Sequence, residues 1–383
     1  MRCRKSFLYN ENNFTFAKNF SFLKVTSFFI IICISLSSFA QSDSSWQIPP
    51  QITFSGYADV FYAFDFSLPQ GNQRQSYLAN HNRHNEFNMN HLMVQANLKH
   101  EKYRANLGLH MGTYVQDNYA QEPSALKYIY QGNIGISLSK KNKLWLDVGI
   151  FESHIGFEVA QSTENQTLTR SLCAELSPYF FGGAKLSYDP NEKWSFKLLA
   201  LNGWQRIQRL YGNSMLSFGS QIQFQPNEKW LLNWSTFVGT DTPDEIRRMR
   251  YFSNFYTQFK ANEKLNFTLG WDYGMQEDLG WSAYYRSWTN LTGIAQYKFS
   301  KQWQTAFRFE FFSDIDGVLL ADVWPNSVLG GFSLNIDYSP HQNLLLRWEN
   351  RFARASSHLF NSQSFGYEDN FVSVLSLALK FGK

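Results

Sequence analysis

The sequence predicts an all-β chain, a 16-stranded antiparallel up-and-down transmembrane β-barrel with short periplasmic turns and long extracellular loops. Three observations predict it. Apolar and polar side chains alternate along many segments of about ten residues, the length at which a tilted strand crosses a bilayer. Short polar connections take turns with long irregular ones. Aromatic residues are abundant, with 12 Trp, 20 Tyr and 36 Phe among 383 residues. The mean hydropathy of −0.37 excludes a polytopic helical membrane protein, and 18% aromatic with only 17% charged residues excludes a disordered chain.

The chain opens on a predicted targeting segment. Basic residues ending at Lys24 precede an apolar run from Val25 to Leu36, and Ser38 and Ala40 set small side chains before Gln41. That is the layout of a cleaved secretory signal peptide over residues 1–40. Its apolar run is shorter than the ~18–20 residues of a membrane-crossing helix, and Cys33 lies inside that run rather than at a lipoprotein cleavage point. Residues 1–40 also hold five of the 35 basic residues and one of the 31 acids, so the remainder balances at formal charge zero. The apparent basicity therefore belongs to the leader and gives no support to nucleic-acid binding. Cys173 is left alone in the exported part, where it can form neither an internal disulfide nor a zinc site.

Residues 41–50 are expected to form a short periplasmic segment and 51–383 the barrel. In the first strand Ile52, Phe54, Ala58, Val60, Tyr62 and Phe64 alternate with Thr53, Ser55, Asp59 and Asp65. Such alternation gives one apolar and one mixed face. It recurs at 194–200, 265–273, 303–311 and 371–381. Seven short connections punctuate the chain, at 100–102, 140–143, 189–193, 225–229, 261–264, 300–302 and 339–343, and their Asn, Pro and Ser are turn residues. Eight longer ones lie near 67–86, 116–127, 152–178, 203–214, 240–250, 274–287, 313–327 and 354–370. Fifteen alternating connections join sixteen strands with both termini on the short-turn side, as in bacterial outer-membrane barrels. Trp145, Trp194, Trp230 and Trp303 follow short turns closely, which predicts an interfacial aromatic girdle. A soluble sandwich or propeller would bury these aromatics, but sixteen similar hairpin strands in sequence favour a closed barrel, which leaves no unpaired edge in lipid.

Asp147-Val-Gly-Ile-Phe-Glu-Ser-His-Ile-Gly-Phe-Glu158 resembles a stretch of the β-barrel porins called OmpL-like. Asn82–Asn88, Arg170–Tyr179 and the Asn-Gly-Trp of 202–204 extend the resemblance along the exported chain. It implies a porin in the bacterial outer membrane, with lipid and small hydrophilic solutes as partners. Trimers are common among general porins, so a homo-oligomer is expected by analogy alone. Such barrels usually end on an aromatic residue, whereas here Gly382 and Lys383 follow Phe381.

With the apolar rows facing lipid, the opposite rows line the lumen, and sixteen strands are wide enough for water. Candidate wall residues are Asp59, Asp65, Lys197, Asp272, Lys298, Arg308, Glu310, Arg347, Glu349 and Arg351. Both signs occur, so no ion selectivity is readable. Loop 152–178 is the longest, and its Ile155-Gly156-Phe157 is apolar for a solvent loop. Folded inward it would set the pore diameter, with Glu152, Glu158, Arg170 and Glu175 as constriction residues and with Glu158 and Glu175 facing basic wall residues such as Arg347. The alternative is a solvated external loop. Asp241, Asp244 and Glu245 beside Arg247, Arg248 and Arg250 read as a solvated charge cluster.

Enzyme signals are weak. His81, His84 and Glu86 lack a fourth ligand for a metal, no Gly-x-Ser-x-Gly elbow is present, and His154 with Glu158 lacks the pattern of a zinc-protease helix. No cofactor or metal is expected. The reading is a porin for passive diffusion of small hydrophilic solutes or ions. A non-conducting barrel acting as scaffold, adhesin or assembly partner through its loops is the alternative, with a barrel hydrolase behind it.

Overall fold

A computed structural model describes residues 49–278, 284–320, 326–356, 358–360 and 367–382. The expected signal peptide and its cleavage point, Cys3, Cys33, residues 41–48 of the expected periplasmic segment and Lys383 lie outside the described residues. So do 279–283, 321–325, 357 and 361–366 within three predicted loops.

Sixteen antiparallel strands close into one barrel. In chain order they are β1 (Gln51–Asp65), β2 (Phe87–Lys99), β3 (Tyr103–Met111), β4 (Ile129–Ser137), β5 (Leu144–Glu152), β6 (Phe180–Asn191), β7 (Trp194–Leu201) and β8 (Ser217–Asn227). They continue as β9 (Trp230–Gly239), β10 (Arg250–Lys260), β11 (Leu265–Glu277), β12 (Tyr285–Lys298), β13 (Trp303–Asp314), β14 (Ser327–His341), β15 (Leu344–Ala355) and β16 (Asp369–Gly382). Each pairs with its sequence neighbour, and β1 closes on β16 in a register from Ser55↔Gly382 to Asp65↔Val372. Closure satisfies the backbone of every strand, which lipid requires.

The short turns owe their shape to one repeated device. Asn191, Asn227 and Asn262 each turn a side-chain oxygen back to the amides two and three residues on, at 2.9–3.2 Å. An Asn there mimics a backbone turn, so the recurring Asn-Glu-Lys closes three hairpins alike. Ser300 does the same for Gln302 and Trp303.

Strand parity then sorts the side chains. On β1, Ile52, Phe54 and Val60 are exposed on the outer row, whereas Asp59 and Asp65 are fully buried on the inner row. Leu198, Trp234, Trp271, Phe309, Phe332, Trp348 and Leu377 continue the exposed outer row around the barrel. Trp194, Trp230 and Trp303 lie on that outer row and stack on Phe224, Phe259 and Tyr338. Trp145 does not. It shares the inner row of β5 with Asp147, and the Arg104 guanidinium lies 4.4 Å from its ring centre. Its membership of an outward girdle is corrected accordingly.

The inner row is not polar throughout. At the extracellular ends of their strands, Phe151, Phe181, Phe237, Phe252, Trp288 and Phe312 point inward and are nearly fully buried. Ile155 and Leu172 of the loop between β5 and β6 complete this cluster. The packed core therefore sits at the long-loop end of the lumen.

Candidate functional site

Three long loops fold into the barrel. L1 (66–86) is held by Arg74 on Asp65 at 3.2 Å and by His81 Nε2 at 3.0 Å from Asp59. L2 (112–128) carries a short helix, α1 (Thr113–Asn118), whose Tyr114 packs with Tyr119, His91 and His110, and His110 meets Tyr130 in turn. L3 (153–179) makes the most extensive set of contacts and includes α2 (Leu172–Glu175).

L3 first crosses β8–β11. The carbonyl of His154 accepts from Gln221 and Ser235 at 2.8 and 2.7 Å, and the amide of Gly156 donates to Asn254 at 3.1 Å. Phe157 then lies over Gly270, where the Cβ of any other residue would collide with its ring. The loop tip reaches β1, with the amide of Ser162 donating to Tyr57 Oη at 2.8 Å.

The return path runs along the inner face of β12–β15. Arg347 bonds both oxygens of Asp337 at 2.9 Å and donates to the carbonyls of Ser162, Asn165, Gln166 and Thr167. Arg308 donates to Thr167 Oγ1 at 2.9 Å and to Thr169 Oγ1 at 3.0 Å, and pairs with Glu349 at 2.9 Å. Glu349 accepts in turn from the amide and hydroxyl of Thr169. Glu310 binds Arg351 and accepts from the amide of Leu172. Gly331 and Ser333 lie between these groups in the ladder. Both are small, so Arg308 and Glu310 on β13 reach across β14 to Glu349 and Arg351 on β15. All five residues are at most 5% exposed. Charges so buried persist only when paired and hydrogen-bonded, and here the backbone of L3 supplies much of that bonding.

The structure thus brings Arg308, Glu310, Arg347, Glu349 and Arg351 together as the docking strip for L3. Asp59 is fully buried under L1, where Tyr57, Asn90 and Ser376 also donate to it. Asp272, also fully buried, accepts from Asn254 at 2.6 Å. Lys298 stands exposed at the periplasmic rim beside Trp303 and Gln304. Lys197 faces the lumen half-buried.

The expected pairing of Glu158 and Glu175 with Arg347 is not formed. Glu158 accepts from the amide and hydroxyl of Ser171 inside L3. Glu175 turns to L1, accepting from the amide of Ala79 at 2.8 Å and from Asn80 at 3.2 Å. Burial raises its carboxyl above the ordinary range, with Arg170 opposing the rise. Arg347 is instead neutralised by Asp337, which lies directly opposite it across the 339–343 turn. Arg170 stacks 3.7 Å over the Tyr179 ring, and Glu152 accepts from Tyr130. These four residues and Glu158 line a narrow cleft of about 60 Å³.

His81 and His84 are engaged separately, His81 with Asp59 and His84 with the amide of Asp65, while Glu86 pairs with Arg83. In the charge cluster of the loop between β9 and β10, Asp244 pairs with Arg247 at 2.6 Å. Hydrogen bonds from Ser214 and then Arg247 hold its carboxyl down at about 2. Arg250 instead lies 5.0 Å from the Trp204 ring centre. Sequence reasoning missed Asp337, Thr167, Thr169, Lys185 and Arg104. The odd-numbered row Asn335, Asp337 continued across a five-residue turn to Arg347 could have found the first.

The family model described as "Putative beta-barrel porin-2, OmpL-like" matches residues 51–381. A search of curated proteins returned no match. Among solved structures, the anion-selective porin of Comamonas acidovorans superposes with a TM-score of 0.60 at 8% identity, over 87% of this chain and 100% of that one. The outer-membrane channel DcaP of Acinetobacter baumannii gives 0.61 at 10% identity, over 89% and 99%. OmpF of Salmonella typhi, solved with daunomycin, gives 0.57 at 12% identity, over 86% and 97%. At such identities the likeness carries the fold, and the family match carries the kinship: the chain belongs to the OmpL-like β-barrel porins of the outer membrane.

Proposed function

We propose that this porin passes small hydrophilic solutes or ions by passive diffusion along a narrow water path beside L3. The observation that carries the reading is the asymmetry of the lumen wall. L3 covers the inner face of β12–β15, where Arg308, Glu310 and Glu349 are at most 1% exposed. Arg104, Lys185 and Lys197 on β3, β6 and β7 remain solvent-accessible. A loop held against one wall narrows the passage toward the other. Export through a signal peptide cleaved after Ala40 belongs to the same proposal. So does assembly into a homo-oligomer, by analogy alone. Catalysis does not, since the His154 imidazole bonds the Thr236 carbonyl while Glu158 and Cys173 accept from Ser171 and Thr292.

Swelling of proteoliposomes holding the refolded chain tests this reading. Small sugars are expected to enter faster than large ones. A folded barrel that leaves swelling at the rate of empty liposomes for every solute would overturn it. One observation favours a second reading. L1, L2 and L3 together bury so many inner charges that a closed barrel displaying its loops to a partner also fits, and that same negative result would select it.

A further inference from the structure

We propose that Lys185 and Lys197 form a binding station for small anions, carboxylates or inorganic phosphate, on the accessible wall of the lumen. The proposal rests on the porin reading and names the solute class. Ser187 pairs with Lys197 and Lys185 with Leu199, so the two lysines are diagonal neighbours on one face of adjacent strands. Such neighbours stand about 7–8 Å apart at the backbone, within reach of one oxyanion for long side chains.

Their nearest cross-strand carboxylate is already committed. Asp147 lies directly opposite Lys185, but both its oxygens accept from Arg104, at 2.7 and 2.5 Å. No hydrogen bond or ion pair holds either lysine ammonium among the described residues, and Lys185 Nζ stands 4.7 Å from the Phe151 ring centre. Two other acids lie near this row. Glu152 is bound by Tyr130, and Asp189 is exposed at the periplasmic turn. Arg104, Lys185 and Lys197 against Asp147 and Glu152 leave a surplus of one positive charge on this partly exposed wall. The opposite wall has its charges paired and covered by L3. Phe151 and Leu199 make the floor of the station apolar, and a low-dielectric wall focuses the field of the two ammonium groups on the lumen.

Reversal potentials in a KCl gradient test the station, with folded barrels verified first by their resistance to unfolding in detergent. The wild-type channel is expected to prefer chloride, and inorganic phosphate added to one side is expected to reduce the chloride current. Lys185→Gln with Lys197→Gln should lower the chloride-over-potassium permeability ratio about tenfold and abolish the phosphate effect. Lys185→Arg with Lys197→Arg should retain both. Channels that conduct with an unchanged ratio and unchanged phosphate response in the Gln variant would refute the station and leave the porin reading standing. Folded wild-type barrels that conduct nothing would refute the porin reading, and the station with it.

Discussion

Arg347→Ala probes the docking of L3 most sharply. The guanidinium is 2% exposed, bonds both oxygens of Asp337, and donates to four consecutive-turn carbonyls between Ser162 and Thr167. Its removal strips those carbonyls of their donor. It also strands a fully buried carboxylate that keeps only Asn335 and Gln304, at 2.8 and 2.9 Å. Breaking one side of a buried pair costs about 3–5 kcal/mol. If about 3 kcal/mol of that falls on the loop, amides of 162–168 should exchange with solvent roughly 150-fold faster. Amides of 169–173 should change less, because Arg308, Glu310 and Glu349 still hold them. Adding Asp337→Asn to the variant removes the stranded charge without restoring the loop contacts. Barrel stability should then recover while exchange at 162–168 stays fast. Mass-spectrometric hydrogen exchange on the folded barrel reads both. Unchanged exchange at 162–168 in the single variant would refute the docking account.

Three further outcomes are expected. Phe309→Arg on the outer row should cost about 2–4 kcal/mol in lipid, against about 0–1 for Trp303→Arg near the rim; equal costs in equilibrium unfolding would contradict the assigned lipid face. Cys173, 3% exposed in α2 and bonded by Thr292, should resist a charged maleimide until the barrel unfolds, so rapid labelling of the native barrel would argue against the inward path of L3. Hydrogen bonds from Ser214 and Arg247 hold the Asp244 carboxyl down at about 2 in the folded chain, below the ordinary Asp range, so its contribution is present above the unfolded value and lost as pH falls toward 2. Exchange of the Ser214 amide should rise over that window, and Asp244→Asn should flatten the rise. A wild-type profile already flat would exclude the contact.

Much of the barrel was legible because its determinants are local. Each Asn-Glu-Lys turn organises its own amides, and strand parity follows from the residues on either side. Trp145 shows where one local cue misleads. Its distance from a turn suggested the girdle, while Leu146 and Val148 beside it already mark the opposite row as the outer one. The inner aromatic cluster left a trace in the doublet Phe311-Phe312, which breaks alternation by putting an apolar residue on each face. The partners of Glu158 and Glu175 left none. They depend on the path of a loop whose contacts lie up to 216 residues away, and charge sign alone does not choose among several arginines. Likewise, the reach of Arg308 across β14 needs the small side chains of Gly331 and Ser333 in register, which appears only once the strands are paired.

Single-channel recording from the refolded chain in planar bilayers, beside a variant lacking 159–172, bears most directly on the claim that L3 narrows a conducting lumen. Discrete, stable conductance steps are expected from the full chain and larger ones from the deletion. Folded barrels silent in both forms would contradict it.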